Sequence, residues 1–210
     1  MNKQEILQKA NEITGWFEES DISVIYDILQ LPKEPINFLE LGTWQGKSTM
    51  AIGLSLPYNS SFITCDSFLG SENEVATSHA DALKGSSVYE TFLSNFDKLK
   101  ELRIDLLLNH YKGNFDEIRT NFSNLEFDII FIDGNHLYGS VKKDFVNYYD
   151  VVKENGVFLF HDLHSGCPGI VKFAHTFFLR EKILLWWSET KSSIWGVKKS
   201  TIPEKLISDM

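Results

Sequence analysis

Apolar and polar positions fall in blocks along this chain, and block length separates helices from strands. Asn2–Phe17 and Asp21–Leu31 carry apolar residues at helical spacing, and in the second block Ile22, Ile25, Ile28 and Leu29 share one face. Pro32 and Pro35 then stop helix and force extended chain. From there short apolar runs of strand length recur at Ile36–Leu41, Ser61–Asp66, Ile104–Leu108, Phe127–Asp133 and Val157–Phe160. Helical patterns follow them at Gln45–Leu56, Val88–Leu102, Phe115–Phe122, Tyr138–Val152 and Pro168–Arg180. Two last runs, Ile183–Trp187 and Ser193–Val197, have no helix between them.

Strands that alternate with helices predict a parallel sheet covered on both faces. Two closing strands in close succession predict one antiparallel member. The expected fold is therefore α/β, a Rossmann-like doubly wound sheet of seven strands with helices on both faces. Residues 1–35 are expected to pack on the core as an N-terminal addition, ahead of a single domain over 36–210. One connection, Phe68–Ser87, is long for such a fold and polar, as lids and binding loops often are. His79 within it reads as a solvated bystander.

Composition narrows the function. The chain has 210 residues and a net charge of −9, which disfavours a nucleic-acid surface and favours a small-molecule substrate. Cys65 and Cys167 match no zinc spacing and read as two free thiols in a reducing cytoplasm. No apolar run approaches the roughly 20 residues of a membrane span. The start of the chain is a polar helix pattern and not a signal peptide. A homodimer contact through the N-terminal helices is one role open to them.

Candidate chemistry begins at Ile36–Thr49, I-N-F-L-E-L-G-T-W-Q-G-K-S-T. A strand, a glycine turn and a helix build a pocket at the carboxyl end of the first strand. A phosphate-binding P-loop needs four residues between its glycine and Gly-Lys-Ser/Thr, and Gly42 to Gly46 leaves one too few. A dinucleotide fingerprint is excluded because position 44 is Trp. Asp66 closes the second strand, about 20 residues past the glycines, where an acid can accept from ribose hydroxyls. Asp133 ends the fourth strand and His161-Asp162 end the fifth, so their side chains can converge. A group of such residues otherwise serves as helix caps and loop partners. Trp186, Trp187 and Trp195 lie on the closing strands, where core packing is the leading role and stacking on a ring the other.

The E-L-G-x-x-x-G-x-S pattern, D-S-F-L-G after the second strand, I-D-G-N-H-L-Y at 132–138 and F-H-D at 160–162 together resemble class I S-adenosylmethionine-dependent methyltransferases of the methyltransferase-24-like family. Their spacing is similar to that of macrocin-type and catechol-type O-methyltransferases. The resemblance implies S-adenosylmethionine as cofactor and a hydroxyl of a sugar, a glycan or another small molecule as acceptor. It places Glu40 on the ligand's ammonium group and the Gly42–Gly46 backbone, with Thr43, Trp44 and Ser48, along its methionine part. Asp66 and Ser67 would face the ribose and Asn114 the adenine. His136, Asp133 and His161 would be catalytic, with His136 as proton acceptor. In the metal-dependent relatives, Asp133, His161 and Asp162 would hold a divalent ion such as Mg²⁺ or Mn²⁺. A histidine in the middle position departs from that all-oxygen pattern and suggests a softer ion, or none with His161 as hydrogen-bond partner. Two other readings stay open, a P-loop-like nucleotide hydrolase built on Lys47 and a non-catalytic cofactor binder.

Overall fold

The structure, a computed structural model, describes residues 1–70, 87–186 and 191–208. His79, most of the Phe68–Ser87 connection and Trp187 lie outside the described residues. Two helices, α1 (Lys3–Asn11) and α2 (Glu19–Leu29), precede strand β1 (Asn37–Leu41). Then come α3 (Lys47–Ser55), β2 (Ser61–Asp66), α4 (Val88–Leu102), β3 (Leu107–Lys112), α5 (Phe115–Arg119), β4 (Phe127–Ile132) and α6 (Tyr138–Tyr148). Strand β5 (Val152–Phe160), α7 (Pro168–Ala174), β6 (Leu184–Trp186), β7 (Trp195–Lys198) and α8 (Glu204–Ser208) complete the order.

The seven strands form one sheet in the order β3-β2-β1-β4-β5-β7-β6. Strands β1 to β5 pair in parallel, and β7 runs antiparallel to both β5 and β6. This is the doubly wound α/β arrangement the block pattern predicts. Strand order reverses between β1 and β4, so the ligand crevice belongs at their carboxyl ends. Register makes the point concrete. Leu41 pairs with Cys65 and Ile132, and Ile132 pairs with Phe160. Gly42, Asp66, Asp133 and His161 therefore leave the sheet side by side along one edge.

Alternation along the strands feeds two apolar layers. Leu39, Leu41, Ile130, Ile132, Phe158 and Phe160 face α5, α6 and α7. Phe38, Phe62, Ile129, Phe131 and Leu159 face α1, α2 and α3. Trp195 is fully buried and stacks on Phe160 with centroids 4.2 Å apart, so its role is core packing.

Several boundaries differ from the pattern's. The first helix ends at Asn11 instead of Phe17, because the chain turns through Gly15 against Lys47 and re-enters helix at a capping box of Glu18 and Asp21. Strand β3 starts at Leu107, after a turn in which Arg103 donates to Gly53 O, Leu56 O and Asp105. It then runs on to Lys112, past the expected end at Leu108. As an edge strand it is only partly buried, which leaves its polar sequence without a strand-like apolar run. Strand β5 begins five residues earlier than Val157 and carries a register shift near its start.

Candidate active site

The carboxyl edge of the sheet opens into a cavity of about 880 Å³. That volume lies within the usual range for small-molecule sites. The β1–α3 loop supplies Gly42, Thr43, Trp44 and Ser48, and the end of β2 supplies Asp66 and Ser67. Asn114 closes one side, and Asp133, His136, His161 and Asp162 line the far wall. Trp16, Phe17 and Asp21 join them from the N-terminal segment.

The glycine loop is shaped by close backbone approach. Gly42 has φ +100°, and a Cβ there would lie 2.0 Å from the Asp133 carbonyl oxygen. Only glycine lets β1 and β4 leave the sheet at that separation. Trp44 adopts φ 48°, a left-handed conformation unusual for a bulky residue and the kind of strain that collects at functional sites. Asp66 fixes the loop: its carboxylate accepts from the backbone N–H of Thr43, Trp44 and Phe68. A carboxylate has about four acceptor positions, so one is left to face the cavity. The buried Thr43 hydroxyl lines the cavity and has no hydrogen-bond partner among the described residues. A buried polar atom left unpaired is costly. A ligand acceptor or donor is the natural partner, and the loop fits a polar cofactor on this ground.

Two expected residues do not reach the cavity wall. Gly46 sits behind the loop as the left-handed N-cap of α3, packed on Phe92. Glu40 is fully buried beneath the loop, where its Oε2 accepts from Thr49 and Thr64. Ser48 lies beside the same carboxylate, yet Oε1 has no aligned donor. Burial raises the Glu40 pKa to about 7. Side-chain parity sets this position. Residue 40 shares the face of Phe38, which points at α3 and away from the strand ends. Ser48, which lies beside this carboxylate and lines the cavity, separates the two.

The far wall is a network of alternating charge. His161, buried between the rings of Phe17 and Phe131, places Nδ1 3.2 Å from both Asp133 and Asp162. Its Nε2 lies 3.2 Å from Asp21 Oδ2, an ion-pair distance although the N–H is not aligned on that oxygen. Burial works against a charged imidazole, but the Asp133 carboxylate and the hydrogen bonds around the ring raise its pKa well above the usual value. Burial raises Asp133, with His161 opposing. Burial would also raise Asp162, but the hydrogen bonds and charges of His136 and His161 outweigh it and hold Asp162 low. Asp162, like Trp44, is a non-glycine residue at positive φ, 63°. Its carboxylate reaches His136 Nε2 at 2.9 Å and His164 Nε2 at 3.2 Å. The other His136 nitrogen, Nδ1, lies 3.6 Å from Cys167 Sγ.

Sequence reasoning placed Asp133, His136, His161 and Asp162 together, and the structure does the same. It missed Asp21, Phe17, His164 and Cys167. Asp21 reads in the sequence as a first-turn helix acid, and its carboxylate does accept from Glu18 N in that role. The second role comes from Ser192 and Ser193, which donate to it across 171 and 172 residues of sequence. No local signal could report that.

The donor atoms of Asp133, His161 and Asp162 lie within 4.8 Å of one another. The set is compatible with a divalent ion: the two carboxylates would supply oxygen, and His161 Nδ1, 3.2 Å from both, would join them once its proton is displaced.

Comparison with known proteins settles the class. Residues 39–163, more than half of the chain, match the methyltransferase domain family. The chain belongs to that family. Its sheet is the class I, S-adenosylmethionine-dependent form of the fold. A search of curated proteins finds no match. Among solved structures, an O-methyltransferase from Bacillus cereus in complex with S-adenosylhomocysteine is 16% identical, with 94% of this chain and 90% of that chain covered and a TM-score of 0.59. An S-adenosylhomocysteine-bound methyltransferase from Podospora anserina is 15% identical over 93% and 86%, at 0.61. The mycinamycin-pathway methyltransferase MycE, in complex with Mg and S-adenosylhomocysteine, is 13% identical over 94% of this chain and 54% of its own, at 0.58. The nucleotide-hydrolase and non-catalytic readings gain no support. Among the described residues, no helix is long and apolar enough to cross a membrane.

Proposed function

We propose that this methyltransferase transfers a methyl group to a hydroxyl of a small molecule, with a sugar or glycan hydroxyl as the finer expectation. The observation that carries the reading is the His136–Asp162 pair at the cavity wall, 2.9 Å apart. Asp162 holds the His136 proton on Nε2, which leaves Nδ1 as a lone pair. An alcohol has a high pKa and needs such an acceptor; a thiol or a soft nitrogen does not.

When bound, S-adenosylmethionine supplies an electrophilic methyl group whose sulfur takes the bonding pair as the acceptor oxygen attacks. The residues of this chain divide the remaining work. The Gly42–Ser48 loop and the Thr43 hydroxyl hold the methionine end. Asp66, with Ser67 beside it, has one acceptor position for a ribose hydroxyl, and Asn114 faces the adenine. His136 Nδ1 takes the hydroxyl proton, and Asp162 stabilises the resulting imidazolium. His161 holds Asp133 and Asp162 in place. The N-terminal residues 1–35 complete the acceptor wall through Trp16, Phe17 and Asp21. Positioning supplies most of the rate gain, and the base adds roughly 10²–10⁴-fold.

Calorimetric titration with S-adenosylmethionine and S-adenosylhomocysteine, beside ATP and with or without Mg²⁺, tests the cofactor. Micromolar binding of the sulfur compounds and none of ATP is expected. A labelled-methyl screen over polyols, sugars and phenols then tests the acceptor. Transfer only to thiols or amines would overturn the hydroxyl reading.

A further inference from the structure

A second donor set lies beside the first and differs from it in chemistry. One ligand atom from each of His136, Asp162 and Cys167 lies within 4.8 Å of the other two. His136 Nδ1 and Cys167 Sγ are already 3.6 Å apart. For metal bonds of 2.0–2.3 Å, a tetrahedral site needs ligand atoms roughly 3.3–3.8 Å from one another. Completing such a site requires His136 or Asp162 to re-orient, because Asp162 now pairs with the opposite ring nitrogen, Nε2. All three side chains line the cavity, so the fourth position opens on it.

The fold is built to bring these residues together. Gly169 packs so closely on the next segment that a Cβ there would lie 2.2 Å from His136 O and 2.6 Å from Tyr138 N. The missing side chain lets residues 167–169 close on 136–138. Asn135 Oδ1 accepts from Leu137 N and fixes the loop that carries His136. Asp162 takes up its strained positive φ beside them. His164 stays outside the ligand set. Its Nδ1 accepts from Gly166 N, which puts the ring proton on Nε2, facing Asp162.

We propose that His136, Asp162 and Cys167 form an open three-ligand site for a borderline-soft divalent cation of the Zn²⁺ class. An imidazole, a carboxylate and a thiolate suit such ions and do not suit Mg²⁺, which demands oxygen. The site shares Asp162 with the Asp133–His161–Asp162 trio and differs from it in depending on sulfur. Occupation would take the nitrogen that accepts the substrate proton. Zn²⁺ is therefore an inhibitor competing with the acceptor, a consequence that rests on the His136 base reading; the binding itself does not.

The test is optical titration of the metal-free, reduced protein with Co²⁺ and Cd²⁺, followed by displacement with Zn²⁺, in the absence of methyl donor. A thiolate-to-metal charge-transfer band saturating at one ion per chain is expected. Cys65→Ser should keep the band. Cys167→Ser should lose it and weaken Zn²⁺ binding by roughly 100-fold or more, since even supporting residues of a metal site are worth 10–100-fold. Protection of Cys167 from alkylation by Zn²⁺ gives the same answer on the wild-type chain, should the serine variant not fold. Absence of the band, or binding that survives Cys167→Ser and fails in Asp133→Asn, would overturn the proposal. Neither result depends on turnover, so failure here is distinguishable from failure of the methyl-transfer reading.

Discussion

The two walls of the cavity are made in opposite ways. On the β1–β2 side, backbone and hydroxyl groups face inward, and the Thr43 hydroxyl is left without a partner among the described residues. On the β4–β5 side, Asp21, Asp133, His136, His161 and Asp162 form a chain of opposite charges 2.9–3.2 Å apart. One wall is incomplete until a ligand arrives. The other pairs its charges internally, apart from the unaligned His161 Nε2, and presents a fixed charge pattern. The incomplete wall should govern affinity and the closed wall should govern chemistry and stability. Mutations can test that division.

The largest effect should come from His136. His136→Gln should lower kcat for methyl transfer roughly 10²–10⁴-fold while leaving S-adenosylmethionine affinity within a few-fold of wild type. Equal losses in binding and turnover would mean that the closed wall also carries affinity, and the division would fail. The closed wall's contribution to stability is next. His161→Ala strips the shared partner from three acids and should cost roughly 3–5 kcal/mol in denaturant unfolding, the usual penalty for uncovering a buried charge. Asp21→Asn should cost less, because Ser192 and Ser193 can still hydrogen-bond an amide oxygen there.

How legible this site was depends on how far apart its parts lie in the chain. The strand-end residues could be read because a parallel sheet brings every strand's carboxyl end to one edge, and glycines, acids and histidines stood at those ends. Glu40 looked like one of them and lies buried beneath the loop instead of on the cavity wall. A strand's two faces alternate, and one residue separates a side chain aimed at α3 from the loop that reaches the cavity. Asp21 and Phe17 carried only helix-start and apolar signals. Their place beside His161 follows from how the N-terminal segment docks on the sheet edge, which no local pattern encodes. Strand β3 was misplaced for a related reason, since an edge strand need not be apolar to pair.

Glu40 supplies a pH test of that correction. Its pKa is raised by burial to about 7 in the folded chain against 4.5 for the free group. The folded state thus binds more protons than the unfolded state between those values. Stability from this group is fully present below pH 4.5 and is lost as pH rises through about 7. At pH 8 the loss should approach roughly 3 kcal/mol, from 1.36 kcal/mol per pKa unit. Glu40→Gln should remove the slope and make the chain more stable than wild type at pH 8. A variant that instead lost S-adenosylmethionine binding with its stability intact would return Glu40 to the ligand.

The smallest effect is the sharpest test of the incomplete wall. Thr43→Val keeps shape and burial but removes the unpaired hydroxyl. In the free protein this deletes a desolvated polar atom with no partner, so stability should hold or rise by up to about 1 kcal/mol. In the complex it deletes a hydrogen bond to the ligand, so S-adenosylhomocysteine should bind about 5–10-fold more weakly, equivalent to about 1 kcal/mol. Opposite signs in the two measurements are the signature of a group kept for a ligand at the expense of the empty fold. The same sign in both would mean that Thr43 is an ordinary structural residue, and the contrast between the walls would rest on Asp66 alone.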